Sequence, residues 1–121
     1  MSNSVETLLF ALKLMPEAVA FEQVQAAIDE NYHYTPTRFT NGSGEDMVVN
    51  EAGTNEGSCK IFAFAKLHRL NDAQTLACFG HFFREHVLGN PGGDDHANIR
   101  TFMRHGHAGI HFDGDALSPK N

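Results

Sequence analysis

Cys59 follows Gly57-Ser58 and precedes Lys60 in what reads as the first turn of a helix. Helix N-terminal amides and a neighbouring cation both favour thiolate over thiol, so a nucleophile could be activated here. Such chemistry needs a base, and His86 and His96 are the candidates. The competing role for Cys59 is that of a small buried hydrophobe beside Phe62. Histidines form a second group. The chain has eight, and seven of them fall in residues 57–111. His105, His107 and His111 are close enough in sequence for an extended segment to chelate a metal. His81 and His86 are five apart, ~140° around an α-helix, and should not face each other. His81 and Glu85, one turn apart, suit a surface pair. No HExxH pattern occurs. Solvated or capping imidazoles are therefore expected, with no metal and no cofactor. A third group is polar: Asn41, Asn50, Asn55, Ser58, Lys60, Arg84, His96, Asn98 and Arg100 fall in loops or at helix starts. Helix N-termini beside Lys60 and Arg100 could hold an anionic ligand. The glycine-to-lysine spacing from Gly53 to Lys60 is not that of a P-loop. The alternative is turn geometry for Asn and Gly, with Arg100 paired to Asp94, Asp95 or the acidic first half.

Elements follow from hydrophobic spacing. Val5, Leu8, Leu9 and Leu12 recur as one helix face after Ser4, and Pro16 stops that helix. Phe21, Val24, Ala27 and Ile28 mark a second helix, which should end near Asn31 to Tyr34 because Thr35 precedes Pro36. The Gly- and Asn-rich stretch 35–57 carries two short strands, Arg38-Phe39-Thr40 and Met47-Val48-Val49. Ser58 is the expected cap of a third helix running to about His68. Its residues 61–65 are apolar nearly all round, which places it centrally. Asn71 with Gln74 makes a capping box for a fourth helix, lined by Leu76, Phe79, Phe83 and Val87. Gly89-Asn90-Pro91 ends it, and Asp94 or Asp95 should cap a fifth, which Gly106 closes. Ala108 to Phe112 reads as a last strand. The Phe stripe is core, while Phe82 and Phe83 lie on adjacent faces, so one of them can be exposed.

With 121 residues, 41% of them hydrophobic and 20% charged, the chain is a folded domain rather than a disordered one. Its net charge of −6 makes phosphate-backbone binding, and so nucleic acid, a poor assignment. Two cysteines exclude a disulfide scaffold. No apolar run is long enough to span a bilayer, and Lys13 and Glu6 argue against a secretory signal. Charge is divided: residues 1–56 carry nine acids against two bases, and residues 57–111 carry four acids, six bases and the seven histidines.

Three blocks carry a resemblance. The first is Asn31-Tyr32-His33-Tyr34-Thr35-Pro36 with Phe39, Asn41 and Gly42; the second runs from Asn50 through Ser58-Cys59-Lys60 to Phe64. The third is Thr75-Leu76-Ala77-Cys78-Phe79-Gly80, continuing through Arg84, Asn90-Pro91 and His96 to Asn98-Ile99-Arg100 and Phe102. Together they resemble the HopJ type III effector family over about residues 20–112. The pair Phe82-Phe83 stands where that pattern has Tyr-Tyr, keeping the packing and dropping two hydroxyls. The resemblance implies a bacterial protein, cytoplasmic where it is made and exported by a type III system, with a host or bacterial protein as partner. It implies no reaction, cofactor or catalytic residue, and Ser2, Asn3 and Ser4 form no sharp export motif.

The expected fold is α+β and mostly helical, with about five helices on one core and a small antiparallel sheet. One domain is expected over 1–112 and a loose tail over 113–121, as a monomer or weak homo-oligomer. The expected role is binding or interaction. Its rival is a small hydrolase or transferase using Cys59 with a histidine.

Overall fold

The computed structural model describes residues 4–120. Five α-helices lie in chain order as α1 (Ser4–Leu14), α2 (Phe21–Asn31), α3 (Glu56–His68), α4 (Asp72–Ala77) and α5 (Ala97–His105). A π-helical segment, Phe82–Val87, lies between α4 and α5. Strands are β1 (Tyr32–Tyr34), β2 (Phe39–Asn41), β3 (Val48–Asn50), β4 (Ile110–Phe112) and β5 (Leu117–Pro119). All pairings are antiparallel: β3-β2-β4 form one sheet and β1-β5 a separate ribbon. The α+β, helix-rich architecture expected from periodicity is the one found.

Helix α3 is central because its sequence has no polar face along residues 61–65. Ile61, Phe62, Ala63, Phe64 and Ala65 are all buried. Phe62 is the hub, stacking on Phe102 at 5.2 Å and meeting Phe79 at 5.5 Å and Phe39 at 5.8 Å. Each such ring contributes about 1.5–3 kcal/mol on full burial. The face of α1 turns Val5, Leu8 and Leu12 inward, and α2 turns Val24, Ala27 and Ile28.

Several boundaries differ from expectation. Helix α3 starts one turn before Ser58, with Asn55 as its cap at φ 48°, a left-handed conformation. The cap of α5 is His96 at φ 51°, rather than Asp94 or Asp95. The fourth helix does not continue to Val87. It stops at Ala77, and Gly80 turns the chain at φ 59°. Of residues 113–121, expected as a loose tail, the described part 113–120 carries β5. Ala116 and Leu117 are buried, and Thr35 N donates to Ala116 O at 2.8 Å. Two apolar residues in nine give no period to read, and the backbone pairing with β1 is what orders them.

Candidate functional site

The starts of α3 and α5 converge on one cleft of about 390 Å³. Asn55, Gly57 and Ser58 line it from α3, and His96, Ala97 and Asn98 from α5. Within α3 the first backbone bond runs from Cys59 N to Asn55 O, and within α5 from Ile99 N and Arg100 N to His96 O. The amides before those donors have no intrahelical acceptor, so both helix starts bring polar N–H groups to the cleft wall. Aromatic rings complete the lining: Phe21, Phe79 and Phe82, with Phe21 and Phe82 edge to face at 5.0 Å.

A buried amide network holds the two helix starts together. Asn98 Nδ2 donates to Asn50 Oδ1 at 2.8 Å, and Asn50 Nδ2 donates to Asn98 Oδ1 at 3.1 Å. Asn55 Nδ2 donates to the same Asn50 oxygen at 2.7 Å. Asn41 Nδ2 reaches the Asn98 carbonyl oxygen at 2.9 Å and its side-chain oxygen at 3.1 Å. The Asn41 Oδ1 atom is buried without a hydrogen-bond partner. Strands β2 and β3 thereby lock α5 and the cap of α3. Asn55, Ser58 and Asn98 thus line the cleft, while Asn41 and Asn50 stand behind it.

The three cations of the polar group go elsewhere. Lys60 pairs with Asp29 at 2.9 Å and lies over the Tyr34 ring. Arg84 donates to Val19 O at 2.6 Å and Pro16 O at 3.4 Å, clamping the π-helical segment to the turn before α2. Arg100 donates to Asp95 O and Asp95 Oδ1, each at 2.6 Å, and to Asn90 O at 2.9 Å. Arg100 therefore shapes the 90–95 loop that delivers His96.

Cys59 is 1% exposed and donates to Thr37 O at 3.6 Å. Burial pushes its thiol above the ordinary range, against the activating turn read from the sequence. Cys78 is also buried, with its thiol pushed up to about 12 by desolvation. His86 and His96, the candidate bases, pair with each other: Nδ1 of His86 lies 3.1 Å from Nε2 of His96. The three imidazoles of 105–111 have different surroundings. His105 meets Asp46 at 2.7 Å, His107 meets Thr75 Oγ1 at 2.9 Å, and His111 is exposed on β4.

One spacing argument is overturned. His81 and His86 were expected on different helix faces, yet their rings lie 5.5 Å apart. The segment between them is π-helical, as the bond from Leu88 N to Phe83 O shows. Bonds between residues i and i+5 bring positions five apart nearly one full turn round. The α-helical rule did not apply because the helix is of another kind. The sequence also hid the aromatic wall: Phe21 and Phe82 carry core periodicity, and only the adjacency of Phe82 to Phe83 hints that one ring faces outward.

Fold and cleft together define a helix-rich α+β protein with one mixed aromatic and polar groove between two helix starts. The model of the HopJ type III effector protein matches residues 5–117, and the chain belongs to that family. A crystal structure described as that of an unknown function protein, VPA0580, is similar, with 48% identity and a TM-score of 0.92. The match covers 99% of this chain and 95% of that one. No curated protein sequence matches. Among the described residues, no helix is long and apolar enough to cross a membrane.

Proposed function

We propose that this HopJ-family chain works by binding, and that the cleft between α3 and α5 is its binding site. One observation carries the reading: a cavity of about 390 Å³ lined by both aromatic rings and polar groups. A volume of this order, with a few converging polar groups on an apolar lining, is what small-ligand sites offer. The chemistry favours an occupant with a flat apolar body and an acidic or amide end. The body would lie against Phe21, Phe79 and Phe82, and the polar end toward His96, Ser58 and the two helix starts. The family description adds export by a type III system, so the occupant belongs to the recipient cell, free or displayed on a protein there.

Phenyl phosphate and benzoate probe this directly. With labelled protein, titration should shift the amide signals of Gly57, Ser58, Ala97 and Asn98 together, at an affinity near ~1 mM. Ala97→Phe fills the cleft from an exposed position and should weaken both probes about tenfold, ~1.4 kcal/mol. Shifts scattered over the surface, or equal shifts in the variant, would discard the site. Export is tested separately, by fusing residues 1–121 to a translocation reporter in a strain with and without its type III apparatus.

A further inference from the structure

The facing imidazoles of His86 and His96 join the π-helical segment to the start of α5, and His96 and Phe82 both line the cleft. The ring centroids are 5.3 Å apart while the facing nitrogens are 3.1 Å apart. The centroid gap exceeds the nitrogen gap by about two ring radii, so the nitrogens point nearly head-on, as in an N–H···N hydrogen bond. Such a bond needs one facing nitrogen protonated and the other bare.

We infer that this pair is a proton-operated latch on the cleft wall. In the neutral pair, one ring donates through its facing N–H and the other accepts on its lone pair. A first added proton goes to the outward nitrogen of the donating ring, and the hydrogen bond survives. A second added proton must take the accepting lone pair. Two N–H groups then face each other on two cations, and the rings separate. Phe82 lies 5.3 Å from the His96 ring and 5.4 Å from the His86 ring, so the separation loosens the aromatic wall.

Three charged or ionisable groups stand beside the pair. From the 90–95 loop, Asp95 Oδ2 lies 3.8 Å from His96 Nε2 and favours the first proton. Arg100, from α5, is bound to the other oxygen of Asp95 and limits that attraction. His81, at the head of the π-helical segment, has its ring 5.5 Å from His86, where a further positive charge opposes the second proton. The cleft residues of α2, of α3 and of its cap are Phe21, Gly57, Ser58 and Asn55, none of which titrates. The latch is a property of the protein itself; its consequence, release of an occupant in acid, rests on the binding reading above.

Amide hydrogen exchange on the full chain, corrected for the intrinsic rate, tests the latch without a ligand. On going from pH 7 to about 4.5, protection at Phe83–Gly89 and at Ala97–Asn98 should fall about tenfold in the wild type, as both imidazoles charge. Amides of α2 should not follow. In His86→Asn the amide oxygen takes the place of the facing Nδ1 and still accepts from a protonated His96, so protection should hold at both pH values. In His86→Ala it should be low at both. Protection that stays flat in the wild type, falls equally in His86→Asn, or falls equally in α2 overturns the latch. Because no ligand is present, these outcomes are independent of whether the phenyl phosphate titration succeeds.

Discussion

Asn98 is 7% exposed and makes hydrogen bonds with two other buried asparagines. Replacing it by Ala would remove three buried hydrogen bonds at once: one at each end of the Asn50 amide, whose oxygen keeps only Asn55, and one of the two acceptors of Asn41 Nδ2. The expected loss is about 2–3 kcal/mol of unfolding free energy, read as a lower urea midpoint. The same residue also sets the distance between β3 and the start of α5, so the variant should weaken the probes for the cleft even where it stays folded. The two thiols give a second expectation at this scale. Burial raises both, so alkylation of the folded chain by iodoacetamide at pH 7 should be slower than that of free cysteine. Fast labelling of Cys59 alone would revive the nucleophile that its sequence neighbours suggested.

At the scale of elements, the turn between α4 and the π-helical segment decides where Phe82 and His86 point. Gly80 sits at φ 59°, and a Cβ there would lie 2.6 Å from the backbone nitrogen of Phe21. Gly80→Ala therefore combines a strained backbone with a clash against α2 that no side-chain rotation relieves. A loss of about 2–4 kcal/mol is expected, seen as a lower melting temperature. Much of this level was legible in sequence. The strands around Phe39 and Val48 and the Asn71–Gln74 capping box are found within a residue of their expected places. Period and cap chemistry act locally, so a local reading finds them. The π-helical turn was not legible, because it answers to the packing of Gly80 against α2 and to the Arg84 clamp, both contacts with residues far away in sequence. Strand β5 was missed for the same reason.

Over the whole molecule, the acidic first half and the basic second half meet in ion pairs. Asp29 pairs with Lys60, and Asp46 with Arg104 and His105. Hydrogen bonds from Arg104 and then His105 hold Asp46 down to about 2, below its ordinary 3.8. A carboxylate depressed on folding stabilises above the unfolded value and loses that contribution as pH falls through the folded one. Asp46→Asn should therefore flatten the stability curve between pH 4 and about 2. His68 works in a higher window. Desolvation holds it below its ordinary 6.5, so the unfolded chain takes up its proton first as pH falls. Folding stability should then decline as the pH drops below 6.5, and His68→Gln, which has no proton to gain, should reduce that slope. Urea midpoints measured from pH 7.5 to 5 check this, and a flat wild-type curve would contradict it.

The sequence alone determined the helix-rich α+β class, the central place of residues 61–65 and the family, because periodicity, caps and motif blocks are local or linear properties. It also singled out a set of polar side chains. Only the tertiary structure decided their use. Asn55, Ser58 and Asn98 came to one cleft, Lys60 and Arg84 were taken up by an acid and carbonyls far away in sequence, Arg100 took Asp95 from the acids its sequence offered, and His86 met His96 rather than Cys59. A side chain's chemistry is set by what burial and long-range contacts place beside it, and spacing along the chain carries no record of that.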